Sequence, residues 1–396
     1  MILKISPPFV ELFSYIVRKY YKVFFKKNQV LATNLDMNSY YLLLVSISVI
    51  ATIITTLFVK KISLKLGIVD NPDDNRKLHD KAVPLLGGLA IFISYFIILY
   101  FVKDKLLAGE LLPRHWLGFF IGACFLIIGG ILDDKYNLKP SQQIIWPVLA
   151  ALSVISGGVS IAKITSPFGG YLYLDLVKII LYPLGQGFVY ISVISSLLIF
   201  FWLLGMIYTT KLLDGVDGLV TGVTAIGGFI IFLFTMTTKY YQPDIGLAAL
   251  ILSGCCLGFL IFNWYPAKIF LGESGSLLLG YILGVLAIIS GGKIAIALLV
   301  MGLPILDVAW TIIRRLLDKK NPFNFADRKH LHFKLLDLGL GERKTVLIYY
   351  FFATAFGLSA LFLQSVGKTL ALAILIFIML AIVIGLNYLD KMAVKK

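Results

Sequence analysis

The stretch Trp116–Asp134, WLGFFIGACFLIIGGILDD, joins an uninterrupted apolar run to two adjacent carboxylates. A helix that crosses a bilayer needs about 20 predominantly apolar residues, and this run has nearly that length. Asp133 and Asp134 then lie at the C-terminal end of the helix, where the helix dipole disfavours negative charge. The pair requires a compensating cation such as Mg²⁺ or a nearby lysine, unless it is an ordinary solvated helix stop.

The composition of the whole chain is typical of an integral membrane protein. Of its 396 residues, 59% are hydrophobic and 14% are charged, and the mean hydropathy is +0.92. Soluble domains carry about 25% charged residues. The net charge of +15 does not indicate nucleic acid here, because membrane proteins concentrate Lys and Arg in cytoplasmic loops. The three cysteines lie in apolar stretches without metal-ligand spacing, and we interpret them as buried small residues.

Apolar runs between charged or Pro/Gly-rich breaks predict an all-α polytopic membrane protein with about 11 transmembrane helices. The predicted helices cover residues 40–59, 85–102, 116–132, 144–160, 188–209, 218–237, 246–263, 276–290, 294–313, 346–363 and 369–387. Residues 1–37 are predicted to form a basic amphipathic segment at the membrane interface. Residues 38–363 form the main membrane domain, and residues 364–396 form an extra C-terminal helix with a basic tail.

Basic residues are distributed unequally between the two sides of this helix array. One side carries 22 Lys and Arg residues, the opposite loops carry eight, and the other six lie in the N-terminal segment. The side rich in Lys and Arg is predicted to be cytoplasmic. The protein is therefore predicted to be a multi-pass protein of the cell membrane.

Most ionisable residues that could do chemistry lie in five loops on that side, each at a helix end, which predicts one composite site with a cytoplasmic face. The third loop contains Asp214-Gly-Val-Asp217-Gly, preceded by Lys211. At the start of a helix the two aspartates share one face, and the glycines permit close approach by a ligand. The alternative is that Asp214 is an ordinary N-cap residue and Asp217 only a polar residue of the first helical turn.

The fourth loop runs from Asn263 through Lys268 and Phe270 to Gly272 and Glu273. Phe270 offers a ring face to a nucleobase. The residues after Gly272 present backbone N–H groups, hydroxyls and a carboxylate at a helix N-terminus, which suits an anion or a metal ion. A plain polar turn is the alternative.

Basic residues and histidines dominate the fifth and first loops. The fifth contains Arg328, His330 and His332 and suits a phosphate-rich ligand better than a metal; the alternative is a solvated basic loop at the lipid headgroups. Asp307 lies inside the ninth predicted helix, and an intramembrane carboxylate is a functional candidate unless it hydrogen-bonds a neighbouring helix. The first loop adds three further candidates, Arg76, Lys77 and His79.

Carboxylates and basic groups at the mouth of a helix bundle suit an enzyme that joins a phosphorylated soluble substrate to a lipid. A transporter would place its polar residues near the bilayer midplane on broken helices. Of the candidate residues, only Asp307 is predicted to lie toward the bilayer midplane.

These motifs, in order over about residues 60–345, resemble those of the polyprenyl-phosphate N-acetylhexosamine-1-phosphate transferases, glycosyltransferase family 4. The matching stretches are Asp70-Asn-Pro72, Arg76-Lys77-Leu-His79, Pro84-Leu-Leu-Gly87-Gly88, Asp133-Asp134, Asp214–Gly218, Asn263 to Gly272, Pro304–Asp307 and Asp327–His332. The short form His330-Leu-His332 and the eleven helices are more similar to the branch that makes undecaprenyl-diphospho-N-acetylglucosamine than to the phospho-N-acetylmuramoyl-pentapeptide branch.

The resemblance implies transfer of N-acetylglucosamine 1-phosphate from a UDP-sugar to undecaprenyl phosphate, with release of UMP, to start a cell-wall or surface polysaccharide. It also implies Mg²⁺ as a cofactor and a homodimer. A lipid I-forming pentapeptide transferase, a transporter or scramblase of lipid-linked sugars, and a non-catalytic scaffold are the alternatives.

The resemblance also implies roles for individual residues. The implied catalytic residues are Asp133, Asp134, Asp214, Asp217 and Lys211. Asp133 and Asp134 would serve the lipid phosphate and the catalytic end, and Asp214 and Asp217 the nucleotide and metal, while Glu273 would bind Mg²⁺. The nucleotide, diphosphate and sugar would be met by Asn263, Lys268, Phe270, Arg328, His330 and His332.

Three positions depart from the family pattern. Lys211 stands where the family usually has Asn, Glu273 where it has Asp, and Phe333 where a third histidine is common. The first two positions are implicated in Mg²⁺ binding by the resemblance. We therefore expect Lys211 to take over part of the charge neutralisation of the diphosphate, with Mg²⁺ held more by Glu273 and the aspartates.

Overall fold

The computed structural model describes residues 33–71, 82–166, 170–184, 187–237, 241–290, 294–317, 319, 330–363 and 365–393. The predicted N-terminal segment 1–37 therefore lies almost wholly outside the described residues.

Helices dominate the described chain. The long ones are α1 (Thr33–Leu66), α2 (Gly87–Phe101), α4 (Pro113–Tyr136), α6 (Ile145–Ser156), α7 (Val193–Leu213), α8 (Leu219–Thr235), α9 (Pro243–Asn263), α10 (Gly272–Ile289), α12 (Gly302–Leu317), α14 (Glu342–Phe362) and α15 (Ser365–Ala393). Four short helices connect them, namely α3 (Lys103–Leu106), α5 (Pro140–Gln143), α11 (Ile294–Val300) and α13 (Leu331–Asp337).

Every one of the eleven predicted helices overlaps a helix of the structure. Within the described ranges, six helices are long and apolar enough to cross a membrane, or seven if the bent pair α11 and α12 counts as one span. Helices α2 and α8 and the apolar part of α15 are shorter. The polytopic helical architecture is confirmed, while eleven crossings stay a prediction.

The bend between α11 and α12 has a local cause. Their axes meet at 81°. Pro304 lies four residues after Val300, so in a continuous helix its ring would clash with the carbonyl of Val300. Proline also lacks the N–H that would continue the helical ladder. One predicted helix, 294–313, is therefore two helices.

The described chain also contains strands, so the prediction of an all-α fold is corrected. Three two-stranded antiparallel sheets pair β1 (Val69–Asp70) with β2 (Val83–Pro84), β3 (Lys163–Thr165) with β4 (Tyr171–Tyr173), and β5 (Lys178–Leu184) with β6 (Gly187–Ser192). The predicted helix 188–209 thus starts as a strand. Aromatic and β-branched residues such as Phe188, Val189 and Tyr190 favour strands, and β5 supplies the partner.

Helix α10 is the centre of the bundle. Nearly all of its residues are buried, and it packs on α4, α7 and α2, while α9 packs on α8 and α1. Small residues permit this close packing. A β-carbon added at Gly88 would lie 2.2 Å from the Cα atom of Gly275, so α2 and α10 touch backbone to backbone.

Candidate active site

The two aspartates at the end of α4 have different surroundings. Asp133 is buried, and its Oδ1 atom accepts hydrogen bonds from the backbone nitrogen of Leu138 at 2.8 Å and from Nε2 of Gln143 at 3.0 Å. These bonds close the turn after Asn137, whose φ of 48° ends the helix. Asp133 therefore holds its own loop, in addition to any role toward a substrate.

Asp134 fastens α4 to the start of α10. Its Oδ1 atom accepts a hydrogen bond from the backbone nitrogen of Glu273 at 2.8 Å, which satisfies one of the unpaired N–H groups at a helix N-terminus. Gly272 has a φ of 72°, and a β-carbon there would lie 2.7 Å from Oδ2 of Asp134. A glycine is therefore required at the contact. Oδ2 itself is buried and has no hydrogen-bond partner among the described residues.

Lys211 lies in the last turn of α7, and only 9% of its side chain is exposed. Its ammonium nitrogen is 2.9 Å from Oε2 of Glu273, 2.9 Å from Oε1 of Gln143 and 3.8 Å from Oδ2 of Asp133. The ammonium donates a hydrogen bond to Gln143 and forms ion pairs with Glu273 and Asp133. The ammonium group is thus bound to the protein.

The third loop joins this cluster to the fourth and fifth. Asp214 is accessible to solvent but lies deep among protein atoms: burial raises the pKa of its carboxyl, and the negative charges of Glu273, Asp134 and Asp217 raise it further. Asp217 accepts a hydrogen bond from the backbone nitrogen of Ala267 at 2.9 Å. A β-carbon added at Gly215 would lie 2.8 Å from Nε2 of His332. Asp214 is therefore the more open carboxylate of the pair, and Asp217 holds the fourth loop.

The fourth loop is fixed from within. Asn263 is buried, and its side-chain oxygen accepts a hydrogen bond from the Thr221 hydroxyl at 2.8 Å while its amide donates to the carbonyl of Ile269 at 3.2 Å. These bonds place its polar atoms toward the protein, so the expected contact with uridine is not favoured by the geometry. Lys268 is exposed and Phe270 is half-buried.

The end of the first loop is bound to the fourth through the backbone. Phe270 donates from its nitrogen to the carbonyl of Pro84 at 2.9 Å, and its own carbonyl accepts from the nitrogen of Gly87 at 3.0 Å. The nitrogen of Gly88 donates to the carbonyl of Leu271 at 2.9 Å. The two motifs therefore form one unit.

Asp307 anchors the fifth motif. Its Oδ2 atom lies 3.0 Å from Nδ1 of His330, and its Oδ1 atom accepts a hydrogen bond from the backbone nitrogen of Leu331 at 2.9 Å. Asp307 is buried. The Asp307 carboxylate thus hydrogen-bonds the start of a neighbouring helix, α13, which is the alternative to a functional role.

His330 and His332 are buried rather than open to a ligand. Their rings stack with centroids 5.7 Å apart, and their exposed fractions are 3% and 0%. Burial lowers the pKa of His332 to about 4, so its ring is neutral at pH 7. Direct contact of His332 with a sugar or diphosphate does not fit this geometry. Four other candidates, Arg76, Lys77, His79 and Arg328, lie outside the described residues.

The site does not fit a magnesium ion where the resemblance predicts one. Among the residues that the structure describes, no three His, Cys, Asp or Glu side chains are arranged to hold a metal ion. The ammonium of Lys211 lies against Glu273, the carboxylate expected to bind the ion. Binding of Mg²⁺ stays a prediction, and the positions of these side chains do not favour it.

Two residues in the cluster are missing from the candidates drawn from the sequence. Gln143 bridges Asp133 and Lys211 through its amide, and Tyr208 interacts electrostatically with Glu273. Gln143 is one of two glutamines in the short helix α5, and no sequence pattern distinguishes it as a site residue. Tyr208 lies one turn before Lys211, a spacing that places both on one helix face.

These features define a polytopic membrane protein with a polar site where the ends of its helices meet. Residues 116–291 match the family described as glycosyl transferase family 4. A probable undecaprenyl-phosphate N-acetylglucosaminyl 1-phosphate transferase of Bacillus subtilis is 34% identical over 340 residues, covering 84% of this chain and 87% of the relative. The chain belongs to glycosyl transferase family 4.

Other relatives show the breadth of that family. An undecaprenyl-phosphate alpha-N-acetylglucosaminyl 1-phosphate transferase of Thermotoga maritima is 31% identical over 317 residues, 80% of this chain and 87% of the relative. A phospho-N-acetylmuramoyl-pentapeptide-transferase of Caldicellulosiruptor bescii is 26% identical over 333 residues, 83% of this chain and 98% of the relative. Similarity is therefore higher to these N-acetylglucosaminyl enzymes than to this pentapeptide enzyme.

Proposed function

We propose that the protein transfers N-acetylglucosamine 1-phosphate from UDP-N-acetylglucosamine to undecaprenyl phosphate and releases UMP. The observation that carries the proposal is the convergence of Asp133, Asp134, Asp214 and Glu273 at one end of the bundle. The names of the two N-acetylglucosaminyl relatives support the choice of sugar and lipid. We place this end at the cytoplasmic face of the cell membrane because Lys and Arg are concentrated there. A homodimer stays a prediction.

The chemistry is a phosphoryl transfer. An oxygen of the lipid phosphate forms a bond to the β-phosphorus of the UDP-sugar, the bond between that phosphorus and the oxygen of UMP breaks, and UMP leaves with the electron pair. The second pKa of a phosphate monoester is near 6, so the nucleophile is already ionised at pH 7 and needs no strong base. Positioning and charge neutralisation dominate such reactions.

The side chains divide into two groups under this proposal. Asp214, which is accessible to solvent, is the candidate for direct contact with the substrates. Asp133, Asp217 and Asp307 are positioning residues, because Asp133 holds the turn after its own helix and Asp217 and Asp307 each bind another loop or helix. The resulting frame keeps the reacting groups in place, which is the main contribution that a protein makes to such a reaction.

The test is to incubate the purified full-length protein with undecaprenyl phosphate and a panel of UDP-sugars and to measure UMP. We expect release with UDP-N-acetylglucosamine, and about a 100-fold loss in Asp214→Asn. Asp104→Asn, an exposed aspartate of α3, is the matched control and should leave the rate unchanged. Release only with UDP-N-acetylmuramoyl-pentapeptide would replace the proposed substrate, and release with none of the sugars would overturn the proposal.

A further inference from the structure

We infer that Lys211 is the resident cation of this site and takes the place of a divalent metal ion between Asp133 and Glu273. The inference deepens the proposed function and rests on it for its catalytic meaning. Its structural part concerns only how the acidic cluster is neutralised.

The first argument is the coordination of the ammonium group. Two acceptors, Oε2 of Glu273 and Oε1 of Gln143, lie at hydrogen-bond distance, 2.9 Å each, and Oδ2 of Asp133 lies at 3.8 Å. Carboxylate and amide oxygens are also the ligands that a hard divalent cation prefers. These three oxygens, which could have held a metal ion, therefore lie around the lysine nitrogen.

Gln143 is oriented for this contact. Its amide nitrogen donates to Oδ1 of Asp133 at 3.0 Å and to the carbonyl of Leu138 at 2.9 Å. With the nitrogen bound on that side, the amide oxygen faces Lys211. A side-chain amide in a solvated turn would have no reason to keep this orientation. The glutamine thus forms part of a built site for the ammonium.

Helix ends favour the same pairing. Lys211 lies in the last turn of α7 and Glu273 in the first turn of α10. A helix C-terminus favours a cation and a helix N-terminus favours an anion. Asp133, in contrast, lies near the C-terminal end of α4, where its charge is disfavoured. One lysine therefore interacts favourably with the dipole of α7, forms an ion pair with Glu273 and offsets part of the negative charge of Asp133.

Side-chain length explains why the partner is a glutamate. Glu273 extends one methylene further than aspartate would, about 1.5 Å, and reaches the ammonium at 2.9 Å from the first turn of α10. An aspartate at this position would fall short of hydrogen-bond distance. The two departures from the family pattern, at positions 211 and 273, are thus physically coupled.

The ammonium offsets one carboxylate charge within the acidic cluster. It lies between Asp133 and Glu273 and forms an ion pair with each. A lysine that is 9% exposed would be costly to bury without such partners. Because the ammonium cannot leave with the product, the site keeps its cation when divalent ions are absent.

The test counts bound metal ions. Full-length protein in detergent is stripped of metal and titrated with Mn²⁺, and bound Mn²⁺ is measured by electron paramagnetic resonance. We expect the double variant Lys211→Asn with Glu273→Asp to bind one more Mn²⁺ per chain than the wild type. Lys135→Asn removes an exposed lysine at the C-terminal end of α4, two residues after Asp133, and Lys211→Arg retains the charge. Both variants should therefore bind as many Mn²⁺ ions as the wild type does. Equal numbers in the double variant and the wild type would overturn the inference.

A second measurement can overturn the inference with the wild-type protein alone, whether or not a variant folds. Wild-type UMP release is compared in EDTA and in Mg²⁺, and we expect less than about a twofold difference. The double variant should lose about tenfold or more in EDTA and recover in Mg²⁺. Loss of wild-type release in EDTA with recovery in Mg²⁺ would overturn the inference. Absence of UMP release in every condition would overturn the proposed function instead, while the Mn²⁺ count would still decide the inference.

Discussion

The carboxylate of Asp134 accepts a hydrogen bond from the backbone nitrogen of Glu273 at 2.8 Å and so joins the end of α4 to the start of α10. Residues 134 and 273 are far apart in sequence, and their contact aligns two helices that each carry part of the site. The carboxylate satisfies the first turn of α10 in the manner of an N-cap residue. A single atom pair thus contributes both to stability and to the relative position of Asp133 and Glu273.

We predict that Asp134→Ala destabilises the protein by about 1 kcal/mol, because the first turn of α10 loses its acceptor. Asp134→Asn keeps a side-chain oxygen for the same bond and should restore most of that stability. Thermal unfolding in detergent measures both. Equal losses in the two variants would show that the negative charge, and not the hydrogen bond, is what stabilises the junction.

Gly272→Ala tests the same junction from the other helix. The new β-carbon would lie 2.7 Å from Oδ2 of Asp134, and the φ of 72° is one that L-residues avoid. We expect a loss of stability of about 1–2 kcal/mol. Gly67→Ala is the control for strain alone, because Gly67 has a φ of 67° and no atom within 4 Å of the added carbon. A loss no larger than that of the control would show that the contact with Asp134 is unimportant.

The convergence of the site was predictable, but its hydrogen bonds were not. Alternating helices carry the motifs to the same end of the bundle, so the proximity of Asp134, Asp214 and Glu273 follows from order along the chain. The partner of Lys211 depends on distances between α7, α10 and the turn that holds Gln143, and no sequence pattern encodes these. We expected its ammonium to face the diphosphate, whereas it binds Glu273 and Gln143.

The same distinction applies to the fold. Apolar run length predicted where helices occur, because burial in lipid requires it. It could not reveal that residues 187–192 pair as a strand, because the apolar run continues through them and the competing structure depends on β5 as a partner. Burial of His330 and His332 was equally hidden, since histidines among cations are also typical of an open phosphate site.

Phe270 is predicted to stack on the uracil ring if the proposed function holds. Base stacking on an aromatic side chain contributes about 1–3 kcal/mol. Phe270→Leu should therefore raise the KM for the UDP-sugar about tenfold with little change in kcat. Tyr265→Leu removes an exposed aromatic ring of the same loop and should leave the KM unchanged. A fall in kcat at constant KM in Phe270→Leu would contradict the stacking role.

Asp307 is predicted to act through the position of α13. Asp307→Leu would leave the backbone nitrogen of Leu331 without its acceptor, and Nδ1 of His330 with only the Thr311 hydroxyl at 3.5 Å. The unpaired buried N–H of Leu331 should cost about 1–3 kcal/mol. Asp307→Asn keeps an oxygen for one of the two bonds and should lose less stability. Thermal unfolding gives the comparison, and equal stability of Asp307→Leu and the wild type would contradict the anchoring role.

His332 makes stability depend on pH in a specific window. Its folded-state pKa is about 4 and its ordinary pKa is 6.5, so the folded protein binds its proton less readily than the unfolded chain does. The stability that the neutral ring contributes is complete above pH 6.5 and is lost as the pH falls from 6.5 toward 4. At pH 5 the loss amounts to about 2 kcal/mol. We expect the melting temperature of the wild type to fall between pH 7 and pH 5 by more than that of His332→Gln, which has no titrating ring. Only the wild type has a buried side chain at position 332 that can gain a charge as the pH falls. Equal decreases of the melting temperature in the two proteins would therefore show that His332 is not the group responsible.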